Sequence, residues 1–562
     1  MGFGKIKQKK DGITMKKGII KFVSIALATA CSIAAFGCRK PAGEQVDTSK
    51  KQLYVYNYNG GYGSDWLYKA KAEYEKLNEN VQIMIDPQKP SDANMMKSDI
   101  TSGSNQVFFT EGQKFYSMAS KDFFGDISEA LTTANPYDNG KKIIDKLTPE
   151  QQEYYKLNGK YYGLPHYAGY FGLIYNIDLF EANGFYIAEG YDTTVGDINE
   201  MFTKTSNRSK GPDGKPGTSD DGLPATYEQF IALCDYISAS SDIIPVTWCG
   251  QYRKQYVGYP FNALVADFEG ADAFKMNYTM SGVADDLGTI VDGEFVKDAE
   301  PTTIKNENAY ELARQEGKYQ ALKFLDALTA NGNYYGGNKF ATNKDDANTA
   351  AINRLIRKQA AMLMEGVWWE AEAESGGYYK ELNKQKGDFK MGWMPLPKAN
   401  AEKVGQKSTL VDHISSLCFV RPDLDAEAKK LAIDFIQFVY SDKMLVEFTK
   451  TTGTLKAVNY NISESDYSGL TTFAKSVIDF RKASDVVYAY SQNEIFVNNQ
   501  ADFDGREMYH SNYKYGTSEQ CECPVYAFVD DRVDNKKTPD VNKYFSGMYD
   551  YYRAKWNTFL GK

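Results

Sequence analysis

Histidine and cysteine, the usual side chains of metal and nucleophilic sites, are scarce in this sequence. Three His and seven Cys occur among 562 residues. Cys521 and Cys523 are separated by one residue, whereas zinc and redox pairs usually have a two-residue spacer. The Gly-x-Ser-x-Gly, His-Glu-x-x-His, Walker and Gly-x-Gly-x-x-Gly patterns are also missing. The sequence therefore predicts no structural metal cluster, none of these catalytic sites, no nucleotide fold and at most one or two disulfides.

Positive charge is also in short supply. The chain has 65 Lys and Arg against 74 Asp and Glu, a formal net charge of −9 at pH 7. Residues 1–37 contain seven Lys and one Asp, so loss of that segment would bring the net charge to about −15. An acidic surface repels phosphate backbones. We expect no nucleic-acid partner.

Aromatic residues, by contrast, are abundant. The 42 Tyr, 31 Phe and 6 Trp make up 14% of the chain. Tyr packs and hydrogen-bonds through one side chain, which suits a hydrated ligand that stacks on rings. A hydrophobic content of 42% is typical of a globular protein, and 562 residues are too many for one ordinary core. We therefore expect two or more lobes.

The N-terminus has the pattern of a lipoprotein signal peptide. Three lysines precede an apolar run at residues 22–37, which is short for a membrane span and typical of a secretory signal. The run leads into Ala-Phe-Gly-Cys, which resembles a bacterial lipobox, whose Cys is diacylated and becomes the mature N-terminus. We predict a signal peptide at 1–37, lipidation of Cys38 and a polar tether at 38–52. Cys31 is a less suitable lipidation site, and an uncleaved helical anchor is the alternative.

The chain after the tether begins with a β-α-β pattern. LYVYNY at 53–58 predicts a strand, and a Gly-rich turn follows at 59–63. Apolar residues on one face predict a helix at 65–77, and a further strand is expected at 81–85. This order predicts a parallel sheet, whose ligands meet the carboxyl ends of its strands.

The segment 357–370 (RKQAAMLMEGVWWE) combines a core-like run with two adjacent tryptophans. The apolar run 360–364 has the length of a strand, and Gly366 permits a turn. In a strand, Trp368 and Trp369 would point to opposite faces. We therefore expect one ring in the core and the other on a cleft wall.

The stretch 243–259 predicts a strand that leads into an aromatic loop with Trp248, Tyr252 and Tyr256, and we expect this loop to contact the ligand. Proteins hold sugars by stacking rings on the apolar CH face and by offering hydrogen-bond partners to the hydroxyls. Arg253 in the same loop would instead suit an anionic group.

Four motifs, taken in order, resemble those of the family 1 extracellular solute-binding proteins of ABC importers. The motifs are GKYYGLP (159–165), LIYNIDLF (173–180), LPATYEQF (223–230) and QAAM followed by EGVW (359–368). Tyr227 stands where the family usually has Trp, and Lys358 and Gln359 replace its usual Gly-Lys pair. The resemblance spans residues 53–460.

This resemblance implies a two-lobed α/β fold of the periplasmic-binding-protein type, with the ligand cleft between lobes joined by hinge crossings. We place the crossings at 164–169, 391–397 and 453–460. The first lobe is then expected at 53–165 and 398–452, and the second at 166–397 and 453–562. The resemblance further implies a monomer, lipid-anchored on the extracellular face of the cell membrane, that captures a carbohydrate, an oligosaccharide, and delivers it to the permease subunits of an ABC transporter.

The predicted ligand-binding residues lie near strand ends and turns on the rim of the cleft. Trp368 is favoured over its neighbour because it occupies the Trp position of the family motif. The set is Asn59, Tyr62, Trp66, Thr110, Glu111, Tyr167, Trp248, Tyr252, Glu365, Trp368 and Trp369. Further candidates for the second rim are Asn498, Asp502, Asp504 and Tyr509.

The loop 207–222 (NRSKGPDGKPGTSDDG) resembles the Asp/Gly-rich calcium loops of secreted proteins. Asp213, Asp220 and Asp221 offer hard oxygen ligands on a turn that glycine permits, as Ca²⁺ requires. The loop lacks the terminal Glu of an EF-hand. A structural calcium site and a plain solvated turn are both open. No other cofactor is expected.

Two classes of alternative function remain. The bound solute is a peptide or an anionic metabolite in the first alternative. The second class contains a surface glycoside hydrolase, since abundant carboxylates leave an acid pair open, and a structural adhesin. The resemblance favours a binding protein without catalytic activity.

Overall fold

The computed structural model describes residues 44–88, 93–111, 114–191, 198–204, 206–337, 346–412, 416–499, 524–534 and 537–562. The predicted signal peptide, Cys38 and the start of the tether lie outside the described residues. Cys521, Cys523, Asp502, Asp504 and Tyr509 lie outside them as well.

Two mixed β-sheets form the framework. In chain order their strands are β1 (Lys51–Tyr58), β2 (Val81–Gln88), β3 (Val107–Thr110), β4 (Leu164–Pro165), β5 (Phe171–Asn176), β6 (Ile244–Thr247), β7 (Ala360–Gly366), β8 (Met391–Met394) and β9 (Leu417–Val420). The first sheet has the order β2-β1-β3-β9-β4, with β1 parallel to β2 and β3, and β9 antiparallel to β3. The second has the order β6-β7-β5-β8, with β6 and β7 parallel and β5 antiparallel to both of its neighbours.

Five short two-stranded ladders complete the β-structure of the described chain. They pair Lys156–Leu157 with Lys160–Tyr161, Tyr186–Ile187 with Phe202–Thr203, Gly282–Ala284 with Thr302–Ile304, Gly288–Val291 with Glu294–Lys297, and Thr409–Asp412 with Asp485–Tyr488.

Helices cover the sheets and connect their strands. They are Asp65–Leu77, Ala93–Ser102, Phe115–Ala119, Ser128–Thr132, Pro149–Tyr154, Ile177–Asn183, Tyr227–Ser240, Arg253–Glu269, Ala271–Thr279, Glu316–Ala330, Asn348–Ile356, Trp369–Ser375, Tyr378–Glu381, Ala426–Val439, Asp442–Thr452, Glu464–Ser468, Thr472–Ala483, Glu494–Asn498, Pro524–Val529 and Val541–Phe559. None of the helices in the described part of the chain is both long and apolar enough to cross a membrane.

Several local predictions are confirmed. The apolar run at 360–364 lies within β7, all seven residues of which are buried, as expected for a strand covered on both faces. The sequence Thr148-Pro149-Glu150-Gln151 has the Thr-x-x-Gln pattern of a capping box, and the box forms at the helix Pro149–Tyr154, where the Thr148 hydroxyl accepts from the Gln151 N–H and the Gln151 side chain accepts from the Thr148 N–H. These features follow from local residue patterns alone.

The chain passes from the first sheet to the second at residues 166–170, between β4 and β5. This agrees with the first predicted crossing. The prediction for 391–397 is wrong, because its first four residues form β8 in the second sheet. Lys398 also stays with second-sheet neighbours, since its Nζ lies 2.7 Å from Asp267. The next strand of the first sheet after β8 is β9, which begins at Leu417. The finer lobe boundaries stay a prediction.

The third predicted crossing, 453–460, runs beside the first. The Ala168 N–H donates to the Leu455 carbonyl at 3.0 Å. On the same two segments, the buried Lys456 Nζ lies 2.7 Å from Nδ1 of the buried His166. The ammonium faces four rings, at 4.6 Å from Trp66, 4.9 Å from Tyr440, 4.9 Å from Phe448 and 5.1 Å from Phe109. Burial lowers the pKa of Lys456 to about 7, and burial and the Lys456 charge lower the pKa of His166 well below its usual value.

We predict that Lys456 makes stability depend on pH above neutrality. Because its pKa is about 7 in the folded protein and near 10.5 when exposed, the unfolded chain binds more protons between these values. The unfolding free energy of the wild type should therefore rise from pH 7 to 10 relative to Lys456→Met, by about 1–3 kcal/mol. Urea unfolding at several pH values measures this difference.

The exposed Lys121→Met is the matched control, and its curve should run parallel to that of the wild type. Lys318, another buried lysine whose pKa is lowered to about 7, is present in all three proteins and cancels in the comparison. Parallel curves for the wild type and Lys456→Met would contradict the prediction.

Candidate functional site

A pocket of about 270 Å³ lies where strands of both sheets end. Tyr58 ends β1, Glu111 follows β3, and Trp368 follows β7. The full lining is Tyr58, Gly61, Glu111, Tyr167, Tyr252, Tyr256, Tyr259, Trp368 and Glu372. The expectation that the ligand rim lies at the carboxyl ends of parallel strands agrees with this position.

Trp368 reaches the pocket because the core strand stops at Gly366. A Cβ at Gly366 would lie 2.2 Å from the Trp368 ring, so the glycine leaves room for the ring in this position. Across the pocket, a Cβ on Gly61 (φ +43°) would lie 3.4 Å from the Trp368 Cβ. The half-buried Trp368 ring therefore lies close to the turn that follows β1.

Trp369 has a different environment. It opens the helix Trp369–Ser375, is fully buried, and packs on Phe473 with ring centroids 5.5 Å apart. The prediction that the two tryptophans continue a strand is wrong, because β7 ends two residues before Trp368. The prediction of one ring in the core and one on the cleft wall is confirmed. Ligand contact by Trp369 is not supported, since its ring has no exposed surface.

Of the predicted set, the structure brings Glu111, Tyr167, Tyr252 and Trp368 together on the pocket wall. The Asn59 side chain instead accepts a hydrogen bond from Ser64. The six remaining side chains are buried and lie outside the lining: Tyr62, Trp66, Thr110, Trp248, Glu365 and Trp369. Direct ligand contact by these residues is not supported, because each is held within the protein.

Two of the buried residues support the wall from behind. The Tyr62 ring lies 4.1 Å from the Tyr167 ring, and the Tyr62 hydroxyl donates to the Ala168 carbonyl at 2.8 Å. Trp66 packs edge-on against Phe109 at 5.0 Å. They position the crossing segment that carries Tyr167.

Sequence reasoning missed Tyr58, Tyr259 and Glu372 as lining residues, whereas Tyr256 was expected in an aromatic loop near the ligand. The expected aromatic loop is instead the helix Arg253–Glu269, which begins directly after Tyr252. Tyr252, Tyr256 and Tyr259 have the i, i+4, i+7 spacing of one helix face, a signal present in the sequence. Pro260 within that stretch hides it, because proline usually ends a helix.

Glu365 lies in β7 directly behind the pocket wall, and its carboxyl is fully buried. The Gly366 N–H donates to its Oε1 at 2.9 Å, and its buried Oε2 has no hydrogen-bond partner among the described residues. Burial and then the charge of Glu372 raise the pKa of Glu365 well above its usual value, while Gly366, Tyr256 and Trp368 oppose that shift. Glu372 Oε1 accepts from the Asn348 side chain at 2.9 Å. Glu365 therefore holds its proton more strongly than a surface carboxyl does.

The Asp-rich loop hydrogen-bonds mainly to itself. The Asp220 carboxylate accepts from the Asp213 N–H at 2.9 Å and from the Thr218 hydroxyl at 2.5 Å, and Asp221 accepts from the Gly217 N–H at 2.7 Å. Within the described ranges, no three His, Cys, Asp or Glu side chains converge to hold a metal ion. Calcium at this loop stays a prediction. Cys234, Cys249 and Cys418 are buried free thiols.

A comparison with models of protein families identifies the family of this chain. Residues 69–475 match the family described as bacterial extracellular solute-binding protein, which covers more than half of the chain. The chain belongs to this family. The predicted resemblance is thereby confirmed at the level of extracellular solute-binding proteins, whose members bind solutes. A comparison with curated protein sequences found no significant relative.

Solved structures agree on the fold. A chitin oligosaccharide binding protein has a TM-score of 0.55 and 14% identity over 91% of this chain and 100% of its own. BlMnBP1 from Bifidobacterium animalis subsp. lactis, an ABC-transporter binding protein in complex with mannobiose, has a TM-score of 0.54 and 12% identity over 91% and 95%. RafE in complex with raffinose has a TM-score of 0.51 and 14% identity over 89% and 99%. The predicted two-lobed solute-binding fold is confirmed.

The two tryptophans should respond differently to truncation. Trp369→Ala should lower the unfolding free energy by about 3–5 kcal/mol, because it empties a filled site in the core. Trp368→Ala should cost about 1 kcal/mol or less, because its ring faces the pocket. Urea unfolding measures both. Equal losses in the two variants would contradict this division between core and site.

Proposed function

We propose that the protein captures a carbohydrate, a short oligosaccharide, in this pocket and delivers it to the permease of an ABC transporter. The observation that carries the proposal is the composition of the pocket wall, which combines six aromatic rings with the carboxylates of Glu111 and Glu372. Rings stack on the apolar face of a sugar, and carboxylates accept hydrogen bonds from its hydroxyls.

Pocket volume and position support the same proposal. About 270 Å³ is near the lower end of the roughly 300–1,000 Å³ typical of ligand sites, which favours a short chain over a long one. Tyr58 and Glu111 come from strands of the first sheet, whereas Trp368 and Glu372 follow β7 of the second. A ligand that touches both sides stabilises the closed arrangement through its differential affinity for that state. The structural neighbours named above, which bind sugars, also support a sugar ligand.

The alternatives have less support. An anionic metabolite would meet the carboxylates of Glu111 and Glu372, which repel it. A glycoside hydrolase needs an acid pair that acts on a bound sugar, and the family consists of binding proteins. Both alternatives are separated from capture by the experiment below.

Isothermal titration with a panel of neutral and amino oligosaccharides should detect a ligand. Trp368→Ala should weaken its binding by at least about 1 kcal/mol, roughly fivefold, because a stacked ring is lost. Trp368→Phe should retain part of that affinity, since a ring remains. Tyr68→Ala removes a surface aromatic that is 45% exposed, and should leave the affinity unchanged.

Chromatography of the sugars after incubation should show no shorter products. Hydrolysis would favour the enzyme instead. Unchanged affinity in a folded Trp368→Ala variant would refute the stacking role, and failure of the whole panel to bind would refute the carbohydrate ligand.

The membrane anchor is a separate part of the proposal, supported by the lipobox-like sequence before Cys38. In a bacterial host, the wild-type protein should partition into the detergent phase and incorporate labelled fatty acid. Cys38→Ser should move it to the aqueous phase and abolish the label, whereas Cys31→Ser should change neither. The reverse result would place lipidation at Cys31, and label in both variants would contradict a single lipidated cysteine.

A further inference from the structure

The charge of the pocket wall has one sign. Two of its nine lining residues, Glu111 and Glu372, are acidic, and none of the lining residues in the described chain is Lys or Arg. The nearby Arg253 is buried, and its guanidinium donates to the Gly250 carbonyl at 3.2 Å. A concave site lined by one sign of charge concentrates ligands of the opposite sign.

A third carboxyl lies behind this wall. Glu365 is fully buried and is faced by Glu372, Tyr256 and Trp368, with Cys249 also within electrostatic range. Its Oε2 accepts no hydrogen bond of good geometry in the part of the chain that the structure describes, although the Tyr256 and Trp368 side chains interact with the carboxyl and lower its pKa. Because Glu365 has no surface on the pocket, it acts on a ligand through its electrostatic field and not by contact. Its position next to Glu372 adds to the preference of the wall for positive charge.

A positive charge meets this preference better than a neutral hydroxyl. A neutral hydroxyl donates one hydrogen bond to a carboxylate such as Glu372 but brings no charge that attracts it. An ammonium donates three hydrogen bonds and also attracts both carboxyls. The six rings of the wall add to this preference, because a cation is attracted to the face of Tyr and Trp by about 0.5–2 kcal/mol.

We propose that the ligand of this pocket carries a free amine, as an amino sugar does, and that Glu372, beside Trp368 and Tyr256, recognises its ammonium group, while Glu365 acts on it only electrostatically from behind the wall. This inference rests on the proposed carbohydrate function and specifies the class of sugar. An N-acetylated or purely hydroxylated sugar lacks the charge and binds more weakly.

Recognition of an ammonium group at this site should change the protonation of Glu365. Since Glu365 and Glu372 face each other, Glu365 holds a proton more strongly in the free protein, and an arriving ammonium favours its ionised form. Binding of the amine should therefore release protons into solution. A neutral sugar has no charge to displace that proton.

Three disaccharides with the same linkage test the proposal, because they differ only at carbon 2 of each ring: the glucosamine dimer, its N-acetylated form and cellobiose. The corresponding galactosamine, N-acetylgalactosamine and galactose set covers the other common epimer. Isothermal titration at about pH 6, where the sugar amine is charged, should show the amine form bound at least about tenfold tighter than its neutral partners. Titrations in two buffers of different ionisation enthalpy should reveal proton release with the amine only.

Glu372→Gln is the decisive variant, because Gln keeps the oxygen that accepts from Asn348 while it removes the charge. It should reduce the ratio of amine to neutral affinity to about threefold or less. Glu365→Gln should abolish proton release. The exposed Glu79→Gln lies before β2, at the opposite end of the first sheet, and should preserve the ratio. Thermal melts establish that each variant is folded.

The outcomes separate this inference from the function on which it rests. Equal or tighter binding of the neutral sugars overturns the amine inference and leaves carbohydrate capture intact. Binding of putrescine or tetramethylammonium without any sugar overturns the carbohydrate function and retains the cation site. Absence of binding by every amine, or an unchanged affinity ratio in folded Glu372→Gln, overturns the inference.

Discussion

The position of Tyr167 on the pocket wall depends on the contact between two chain segments. Residues 166–170 and 453–460 run side by side, joined by the hydrogen bond from Ala168 to Leu455 and by the close approach of Lys456 to His166. His166, Ala168 and Lys456 are buried and Leu455 is partly buried, so sliding one segment along the other would leave polar groups without partners, at about 1–3 kcal/mol each. The contact therefore holds in place the segment that carries Tyr167 between the two sheets.

The same region connects the crossing to the pocket through aromatic packing. The rings of Trp66 and Phe448 lie against the Lys456 ammonium, and Phe448 also lies 6.1 Å from the Tyr62 ring. Tyr62 in turn packs on Tyr167, which is part of the pocket wall. A cation in the centre of these rings offsets part of its desolvation by cation–π attraction. One cluster thus surrounds the buried amine on one side and positions a ligand-facing ring on the other.

Local patterns predicted the elements better than they predicted the site. The strand at 53–58, the core strand at 360–364 and the capping box at Thr148 follow from residues adjacent in sequence, which determine periodicity and capping. The sequence predicts a crossing at 391–397 because the Pro residues in this segment suggest the end of a regular element. Its strand pairing with β5 is a contact between distant parts of the chain that local pattern does not specify.

The sequence predicts the site residues from their position at the ends of strands. That position indicates which residues lie on the rim of the site, but not whether each ring faces the pocket or the core. Glu111, Tyr167, Tyr252 and Trp368 face the pocket. Tyr62, Trp66 and Trp248 lie on the same rim and turn inward, because each finds an aromatic neighbour from a distant segment: Tyr167, Phe109 and Tyr335 respectively. That choice is made by tertiary packing. The sequence spacing of Tyr252, Tyr256 and Tyr259 is that of one helix face. Pro260 makes a helix at this place unexpected, because proline usually ends a helix.

Glu365 lies between the core of the second sheet and the pocket. It belongs to β7, whose seven residues are all buried, and it stands one position before the glycine that turns the chain toward Trp368. A carboxyl there is tolerated in the free protein when it keeps its proton, because an ionised carboxylate beside Glu372 would combine desolvation with like-charge repulsion. In the proposal made above, a cationic group bound beside Glu372 lowers this cost through its charge, without contact with Glu365. Ligand binding and the stability of the second sheet would then be coupled through one side chain.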